Sequence, residues 1–136
     1  MVWSIEYEGD TFERFVGKLS RYEQAVLFAA LENVLQRYGI EICAGEWGKP
    51  LGGGLYEFRI RKSLSTILRT TGAGLEIESH NEPSVLLRVF CTFHGDKIVL
   101  LYHGYNKKKD PSPRRQQKEV AKARKLHEAW KKQRKP

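Results

Sequence analysis

Alternating apolar and polar residues predict two β-strands in the first half of the chain. In residues 2–8 the apolar positions are Trp3, Ile5 and Tyr7, and we expect these side chains to face the core. In residues 55–61 the alternation is cleaner, so one face of this strand should belong to the core and the other should be charged. The predicted core face carries Tyr56, Phe58 and Ile60, and the predicted charged face carries Glu57, Arg59 and Arg61.

Two further strands are predicted in the second half of the chain, where they form a hairpin. Residues 86–93 are mostly apolar, and the sequence His94-Gly95-Asp96 that follows them is typical of a tight turn. Residues 97–105 contain a nearly continuous apolar run at 98–101, which indicates a central strand of a sheet.

Two helices are predicted between the first strand and the rest of the sheet. Asp10 with Glu13, and Ser20 with Glu23, have the spacing of capping boxes, in which each side chain bonds the backbone amide of the other residue. The second box begins a longer helix that runs to residue 38 and ends at Gly39 in a left-handed cap.

A last helix is predicted after Pro111 and Pro113, because apolar residues recur there at helical spacing. This stripe should dock on the sheet with the Lys and Arg side chains facing out, and residues 131–136 should form a loose basic tail. The stripe consists of Val120, Ala123, Leu126, His127 and Trp130.

The order of elements predicts an α+β fold, in which an N-terminal strand and a helical hairpin pack on an antiparallel sheet, a C-terminal helix follows, and the helices lie on one face of the sheet. Glycines and Pro50 break the chain at residues 45–54. Residues 62–85 allow two interpretations: a hairpin extension pairing 65–69 with 75–78, or a mobile loop. With 136 residues, the whole chain should be a single domain.

Composition indicates a cytoplasmic protein without a membrane segment. The N-terminus lacks the basic start and apolar stretch of a signal peptide, and no apolar run is long enough to cross a bilayer. Cys43 and Cys91 are too few for a disulfide framework, so we expect two buried thiols. The four histidines lack ligand spacing, and we predict no metal and no cofactor.

Positive charge is concentrated at the C-terminal end of the chain. Residues 107–135 hold 13 of the 24 Lys and Arg and three acids, a formal charge of +10 within a total of +8. Such a block indicates a polyanionic partner such as nucleic acid, or an acidic protein. The alternative is a solvated helix face.

Five local sequences are similar to segments of one protein family. They are residues 49–51 (KPL), 54–59 (GLYEFR), 87–90 (LRVF), 98–108 (IVLLYHGYNKK), and the ending with Pro111 or Pro113, Glu119, Ala123 and Arg124. In this order they resemble the RelE/ParE superfamily of toxins, in its phage-derived HigB-like branch. Family members join the strand at 55–61 to the next strand by a short turn, whereas residues 62–85 make this connection about 20 residues longer.

The resemblance implies a RelE-like fold and a toxin that cleaves mRNA on the ribosome without a metal ion. It also implies an antitoxin partner with a helix-turn-helix domain. Catalytic roles would fall to Arg59, Arg88, Tyr105, Lys107 and Lys108, and RNA-binding roles to Lys49, Arg61, His103, Lys109 and Arg124.

Chemistry supports roles for Arg59, Arg88, Lys107 and Lys108, because cations from neighbouring strands can stabilise a phosphate while the adjacent 2′-hydroxyl attacks it. A Lys of lowered pKa, His103 or Tyr105 would serve as base or acid. Arg59 has an alternative as an ion-pair partner of Glu57 or Glu46. Two other functions stay open: a ParE-like inhibitor of DNA gyrase, and a phage or prophage module that binds RNA or protein without chemistry.

Overall fold

The computed structural model describes residues 2–70 and 82–134. Its strands are β1 (Ser4–Tyr7), β2 (Gly48–Gly52), β3 (Leu55–Ile60), β4 (Leu87–His94) and β5 (Ile98–Asn106). Its α-helices are α1 (Thr11–Gly17), α2 (Arg21–Ala30), α3 (Gln36–Tyr38), α4 (Leu64–Thr70) and α5 (Pro113–Arg134). A π-helical turn, Leu31–Leu35, joins α2 to α3, and a 3₁₀ segment, Gly39–Ala44, follows α3. Among the described residues, no helix combines the length and the apolar character that a bilayer span requires.

The strands of the described residues form one sheet in the order β1-β5-β4-β3-β2. Strands β2 to β5 pair antiparallel with one another, whereas β1 lies parallel to β5. The expected antiparallel sheet is therefore a mixed sheet. Parallel neighbours need a long connection rather than a tight turn, and the helices and strands between β1 and β5 supply it. The predicted hairpin of β4 and β5 is confirmed, and so is the internal position predicted for residues 97–105, because β5 lies between β1 and β4.

Helices cover both faces of this sheet, so the prediction that they lie on one face is wrong. Helices α1, α2 and α4 pack on the first face, where the sheet contributes Phe58, Ile60, Leu87, Val89, Cys91, Val99 and Leu101 to the core. Helix α5 packs on the second face, over Leu55, Phe90, Leu100, Tyr102 and Tyr105. A sheet with apolar side chains on both faces needs a layer of helices or strands packed on each face, and α5 forms the second of these layers.

Strand β3 is buried on both faces, although the sequence predicted that one of them is charged and open to solvent. Phe58 and Ile60 are fully buried, as predicted, and Tyr56 is partly buried. The opposite face is not open to solvent, because Glu57 lies beneath α5 with no exposed surface. Arg61 is exposed just beyond the strand. The expected charged face is therefore a buried face along most of the strand.

The N-terminal strand is confirmed, although one of its side chains does not face the core. Trp3 and Ile5 are partly buried against the core. Tyr7 is 47% exposed and stacks on Phe12, with ring centroids 5.3 Å apart. The strand lies at the edge of the sheet, and its last side chain is covered in part by Phe12 of α1.

One of the two predicted capping boxes forms. The Ser20 hydroxyl accepts from the Glu23 amide at 3.1 Å, and Glu23 Oε1 accepts from the Ser20 amide at 2.9 Å. Asp10 occupies the cap position of α1, but in the described residues its carboxylate accepts from Arg14 Nη2 at 2.7 Å rather than from a backbone amide. Gly39 ends the longer helix with a φ of +54°, and the Trp3 indole occupies the space of a β-carbon there.

The remaining differences concern segments without clear periodicity. Residues 65–69, for which a hairpin strand and a mobile loop were the two interpretations, belong to helix α4, and the segment 75–78 lies outside the described residues. The expected break at 45–54 contains strand β2, which pairs with β3. Residues 131–134, expected in a loose tail, continue α5, while 135–136 lie outside the described residues.

A β-bulge at Tyr102 in β5 determines which way the side chains of Tyr102 and His103 point. His103 pairs with Phe90 while Leu101 pairs with Cys91, so Tyr102 is an extra residue in the ladder. Such a bulge lets two consecutive side chains face the same side, and both Tyr102 and His103 are buried. A β-carbon on Gly104 would lie 2.6 Å from the Arg88 carbonyl oxygen and 2.7 Å from the Phe15 ring. Glycine is therefore required between His103 and Tyr105.

Candidate functional site

Arg59 and Arg88 lie side by side on neighbouring strands. Arg59 of β3 pairs with Arg88 of β4, and Arg88 pairs in turn with Tyr105 of β5. Directly paired residues point to the same face of a sheet, and this is the face that α5 covers. The expected convergence of cations from separate strands is therefore present, with two guanidinium groups and a phenol in one row.

The two guanidinium groups share the carboxylate of Glu57. Arg59 Nε donates to Glu57 Oε1 at 2.8 Å, and Arg88 Nε lies 3.7 Å from the same oxygen. Gln116 of α5 donates from Nε2 to the other oxygen, Oε2, at 3.1 Å. A fully buried carboxylate is stable only when it is paired and hydrogen-bonded, and these three side chains meet that requirement.

The ion-pair alternative for Arg59 is confirmed, with Glu57 as its partner. Glu46, the other carboxylate considered, pairs instead with Lys62 at 2.9 Å. The Arg59 side chain keeps 24% of its surface exposed, whereas Glu57 keeps none. Of the two guanidinium groups, Arg59 therefore lies at the solvent edge of the cluster and is the one that an incoming anion can reach.

Arg88 is held inside the protein. Its side chain is 4% exposed, and its Nη1 lies 3.5 Å from the Leu87 carbonyl oxygen. Among the described residues, its Nε has no hydrogen-bond partner. Burial lowers the pKa of Arg88, the Glu57 charge opposes this shift, and the Arg59 charge adds to it. Because a guanidinium in a protein stays protonated, Arg88 is a fixed positive charge behind Arg59.

Lys107 is the first of the two predicted lysines after β5, and it joins this group. Its Nζ donates to Gln116 Oε1 at 2.9 Å, so Gln116 connects Lys107 to Glu57. Partial burial lowers the pKa of Lys107, and the Arg88 charge lowers it further. We call Glu57, Arg59, Arg88, Lys107 and Gln116 the arginine–carboxylate cluster.

Lys108 points away from the arginine–carboxylate cluster. It is exposed, and its Nζ donates to the Ser84 carbonyl oxygen at 2.9 Å. The structure thus brings together four of the five residues predicted to be catalytic, Arg59, Arg88, Tyr105 and Lys107, and places Lys108 elsewhere. Consecutive residues in a turn project in different directions, which explains why two adjacent lysines separate.

Tyr105 lies next to the cluster beneath α5. It is 2% exposed, and in the described part of the chain its hydroxyl has no hydrogen-bond partner. The Arg115 guanidinium lies 5.4 Å from the centre of its ring. Burial, with the nearby Glu57 charge, raises the pKa of Tyr105 to about 12. The hydroxyl is therefore protonated at neutral pH and can donate a hydrogen bond.

His103 lies one row further along the same face. It is 2% exposed and stacks on Phe90, with centroids 5.0 Å apart. Its Nε2 is 3.4 Å from Glu119 Oε1 without hydrogen-bond geometry, and neither ring nitrogen has a hydrogen-bond partner among the described residues. Burial lowers the pKa of His103 to about 4, and the Lys122 charge adds to this shift. The ring is therefore neutral at pH 7.

Lys49 and Arg61 lie at the rim of the cluster. Lys49 is exposed on the edge strand β2 and pairs with Glu57, so both side chains point to the same face. Arg61 is exposed, and its charge contributes to the lowered pKa of Lys107. Lys109, the third lysine of the turn, is exposed on the side of α1 and α5.

Arg124 has a structural contact that competes with its predicted RNA-binding role. Its Nη1 donates to the Gly52 carbonyl oxygen at 2.7 Å and its Nη2 to that of Leu51 at 2.9 Å. His127, one turn further, contacts the Gly53 carbonyl oxygen through Nε2 at 2.9 Å. These contacts hold the β2–β3 turn against α5.

Sequence reasoning missed the central position of Glu57 and the role of Gln116. The spacing of Glu57 and Arg59 on one face of a strand was a usable signal, and it did suggest their pairing. Gln116 left no signal, because its contact with Glu57 spans 59 residues of sequence. Contacts of that kind depend on where α5 docks.

No protein-family model matches this sequence, and no curated protein is significantly similar to it. Within the described residues, no group of three or more His, Cys, Asp or Glu side chains is arranged to hold a metal ion. The fold and the site therefore define a class in structural terms: an α+β protein whose mixed sheet carries a cation-rich cluster beneath its last helix.

Proposed function

We propose that this protein is an endoribonuclease that cuts mRNA without a metal ion and acts as the toxin of a type II toxin–antitoxin pair. The observation that carries the proposal is the row of Arg59, Arg88 and Tyr105, with Lys107 beside it. In the described cluster, two guanidinium groups lie at one carboxylate and Lys107 is connected to it through Gln116, and this surplus of positive charge suits the charge of a phosphodiester transition state.

The likeness to RelE and HigB-like toxins supports the biological part of the proposal. It favours action in the cytoplasm on mRNA held by the ribosome. It also favours control by a helix-turn-helix antitoxin that covers the basic surface.

In the proposed reaction, the 2′-hydroxyl oxygen of one nucleotide attacks the adjacent phosphorus, and the bond from phosphorus to the next 5′-oxygen breaks. The products are a 2′,3′-cyclic phosphate and a 5′-hydroxyl end. A base takes the proton of the 2′-hydroxyl, and an acid gives a proton to the departing 5′-oxygen.

Each side chain of the row has a distinct role in this proposal. Arg59 binds two phosphate oxygens with its planar fork, since it is the guanidinium at the solvent edge. Arg88 supplies a fixed positive charge behind it. Lys107 is the base, because its lowered pKa increases the neutral fraction. Tyr105, protonated at neutral pH, donates to the departing oxygen.

Glu57 favours a second candidate function, a module that binds RNA or protein without cutting. Its carboxylate occupies the position between Arg59 and Arg88 where a phosphate would bind. A substrate phosphate must therefore displace Glu57 from Arg59. A binding module would use the exposed cations of the surface and keep this ion pair intact.

Cleavage of mRNA by the purified protein in the presence of ribosomes tests the proposal. We expect Arg59→Gln and Lys107→Gln to reduce the cleavage rate about 100-fold or more, the usual effect of removing one group that stabilises transition-state charge. Lys125→Gln is the matched control, because Lys125 is exposed on α5, nine residues beyond Gln116.

Three outcomes distinguish the candidates. Cutting by the wild type and by Lys125→Gln, lost in the other two variants, supports the nuclease. Wild-type protein that binds RNA without cutting it supports the binding module, and arrested supercoiling by DNA gyrase supports a ParE-like inhibitor. Expression in bacteria adds a check, since a toxin should stop growth and the product of the adjacent gene should restore it.

A further inference from the structure

A groove of about 360 Å³ lies between α1 and α5, on the other side of Tyr105 from the arginine–carboxylate cluster. It is large enough for a nucleotide-sized ligand. Among the described residues that line it there are five cations and one carboxylate. They are Arg14, Lys18, Lys109, Arg115, Lys122 and Glu119.

The cations of the groove are only partly neutralised. Arg14 pairs with Asp10 and Arg115 with Glu119. Within the described part of the chain, the other three, Lys18, Lys109 and Lys122, form no salt bridge, and all three are exposed. Like charges that face one another across a concave surface raise its potential, and a bound anion would lower it.

The floor of the groove carries polar groups that lack partners. His103 and Tyr105 line the groove and are each 2% exposed. Neither the ring nitrogens nor the hydroxyl has a hydrogen-bond partner among the described residues. Buried polar groups are nearly always hydrogen-bonded, so unsatisfied ones directly beneath the surface of a basic groove favour a ligand that enters far enough to supply the missing bonds.

We infer that this groove binds phosphate groups, and that its occupant is the backbone of a single RNA strand. A second, shallower depression continues the groove, sharing Lys18, Leu19 and Lys109 and adding Lys108 and the carboxylate of Glu23. The two together hold six cations and two carboxylates, and an extended path with this surplus of positive charge fits a chain of phosphates better than one free phosphate. Lys108 and Lys109, which do not join the cluster, thereby gain a role.

The position of Tyr105 connects this path to the cluster. Tyr105 lines the groove and pairs with Arg88 in the sheet, so a strand in the groove would pass beside the cluster. The RNA-strand part of the inference rests on the proposed function. Phosphate binding by the groove does not, because it depends only on the lining residues.

Binding of an oligonucleotide with every 2′-hydroxyl methylated tests the inference without cleavage, because this probe lacks the attacking group. Inorganic phosphate and 5′-AMP are the comparison probes. Lys18→Gln and Lys122→Gln should each weaken oligonucleotide binding about fivefold and lower the slope of log affinity against log salt by about 1. Lys125→Gln makes the same charge change on α5 outside the groove and should alter neither.

The probes separate the two sources of phosphate. If 5′-AMP or inorganic phosphate binds more tightly than the oligonucleotide and depends on Lys18 and Lys122, the groove is a phosphate site for a small ligand and the RNA strand is excluded. If Lys18→Gln and Lys122→Gln bind all three probes as Lys125→Gln does, the inference is wrong. Oligonucleotide binding that depends on both lysines, together with uncut mRNA in the cleavage assay, would overturn the nuclease while supporting this site.

Discussion

Replacing Glu57 by Gln should destabilise the protein far more than a surface substitution. Gln has nearly the same size and keeps an oxygen that can accept from Gln116, so packing is conserved. The negative charge beside Arg59 and Arg88 is lost, however. Arg88 then stays buried without a carboxylate among the described residues, and its Nη1 keeps the long contact to the Leu87 carbonyl oxygen at 3.5 Å.

The burial of Arg88 determines how much stability the Glu57→Gln variant loses. Breaking a buried ion pair by removing one partner costs about 3–5 kcal/mol, because the remaining charge has neither water nor a counterion. Arg59 is 24% exposed and can turn toward solvent, and Arg88 lies 3.7 Å from Glu57, beyond hydrogen-bond distance. We therefore expect the lower end of that range, about 3 kcal/mol.

Urea unfolding at pH 7 measures this cost. Glu46→Gln is the matched control, because it makes the same change in a surface pair whose side chains are 48% and 36% exposed. It should cost less than about 1 kcal/mol. The double variant Glu57→Gln with Arg88→Met removes both charges and should be more stable than Glu57→Gln alone.

Two results would refute this reasoning. The first is that the unfolding free energies of Glu57→Gln and Glu46→Gln differ by less than about 1 kcal/mol, which is the value of one exposed ion pair. The second is a double variant that is no more stable than the single one. Either would mean that Arg88 is not held by the Glu57 charge.

Three further predictions concern stability. Gly104→Ala should lower the free energy of unfolding in urea by about 3 kcal/mol, because the new methyl group would lie 2.6 Å from a backbone oxygen. A loss below about 1 kcal/mol would contradict this close approach. Ser20→Ala should cost about 1 kcal/mol, whereas Asp10→Ala, which removes no backbone cap, should cost clearly less; equal losses would contradict the assignment of the caps. The pKa of His103 is lowered to about 4 in the folded protein. As pH falls, this imidazole is therefore protonated in the unfolded chain at a higher pH than in the folded protein. The wild type should therefore lose roughly 1–2 kcal/mol between pH 7 and pH 5, and His103→Gln should lose less.

Local pattern accounts for most of the secondary structure that was predicted correctly. Strands β3, β4 and β5, the Ser20 capping box and the end of a helix at Gly39 all depend on residues within a few positions of one another. Alternation and capping are local properties, so they are visible without the fold. Helix α4 and strand β2 lacked such a signal, since their sequences contain neither a clear period nor a clean boundary.

The candidate site was predictable in part for the same reason. Period 2 along β3 places Arg59 on a definite face, and the pairing of β3 with β4 in the structure brings Arg88 beside it. The direction of Lys108 and the contact between Arg124 and the β2–β3 turn could not be foreseen. Turn geometry determines the first, and the docking of α5 determines the second.

By itself, the sequence determined that the chain forms an α+β fold with a hairpin at residues 86–105, and that Arg59 and Arg88 lie on strands. Only the tertiary structure decided that α5 covers the face of the sheet that carries those cations. It also decided that Glu57 is buried between Arg59 and Arg88 rather than exposed to solvent. The physical reason is that the burial of a side chain depends on what packs over it, and here the covering helix begins more than 50 residues further along the chain.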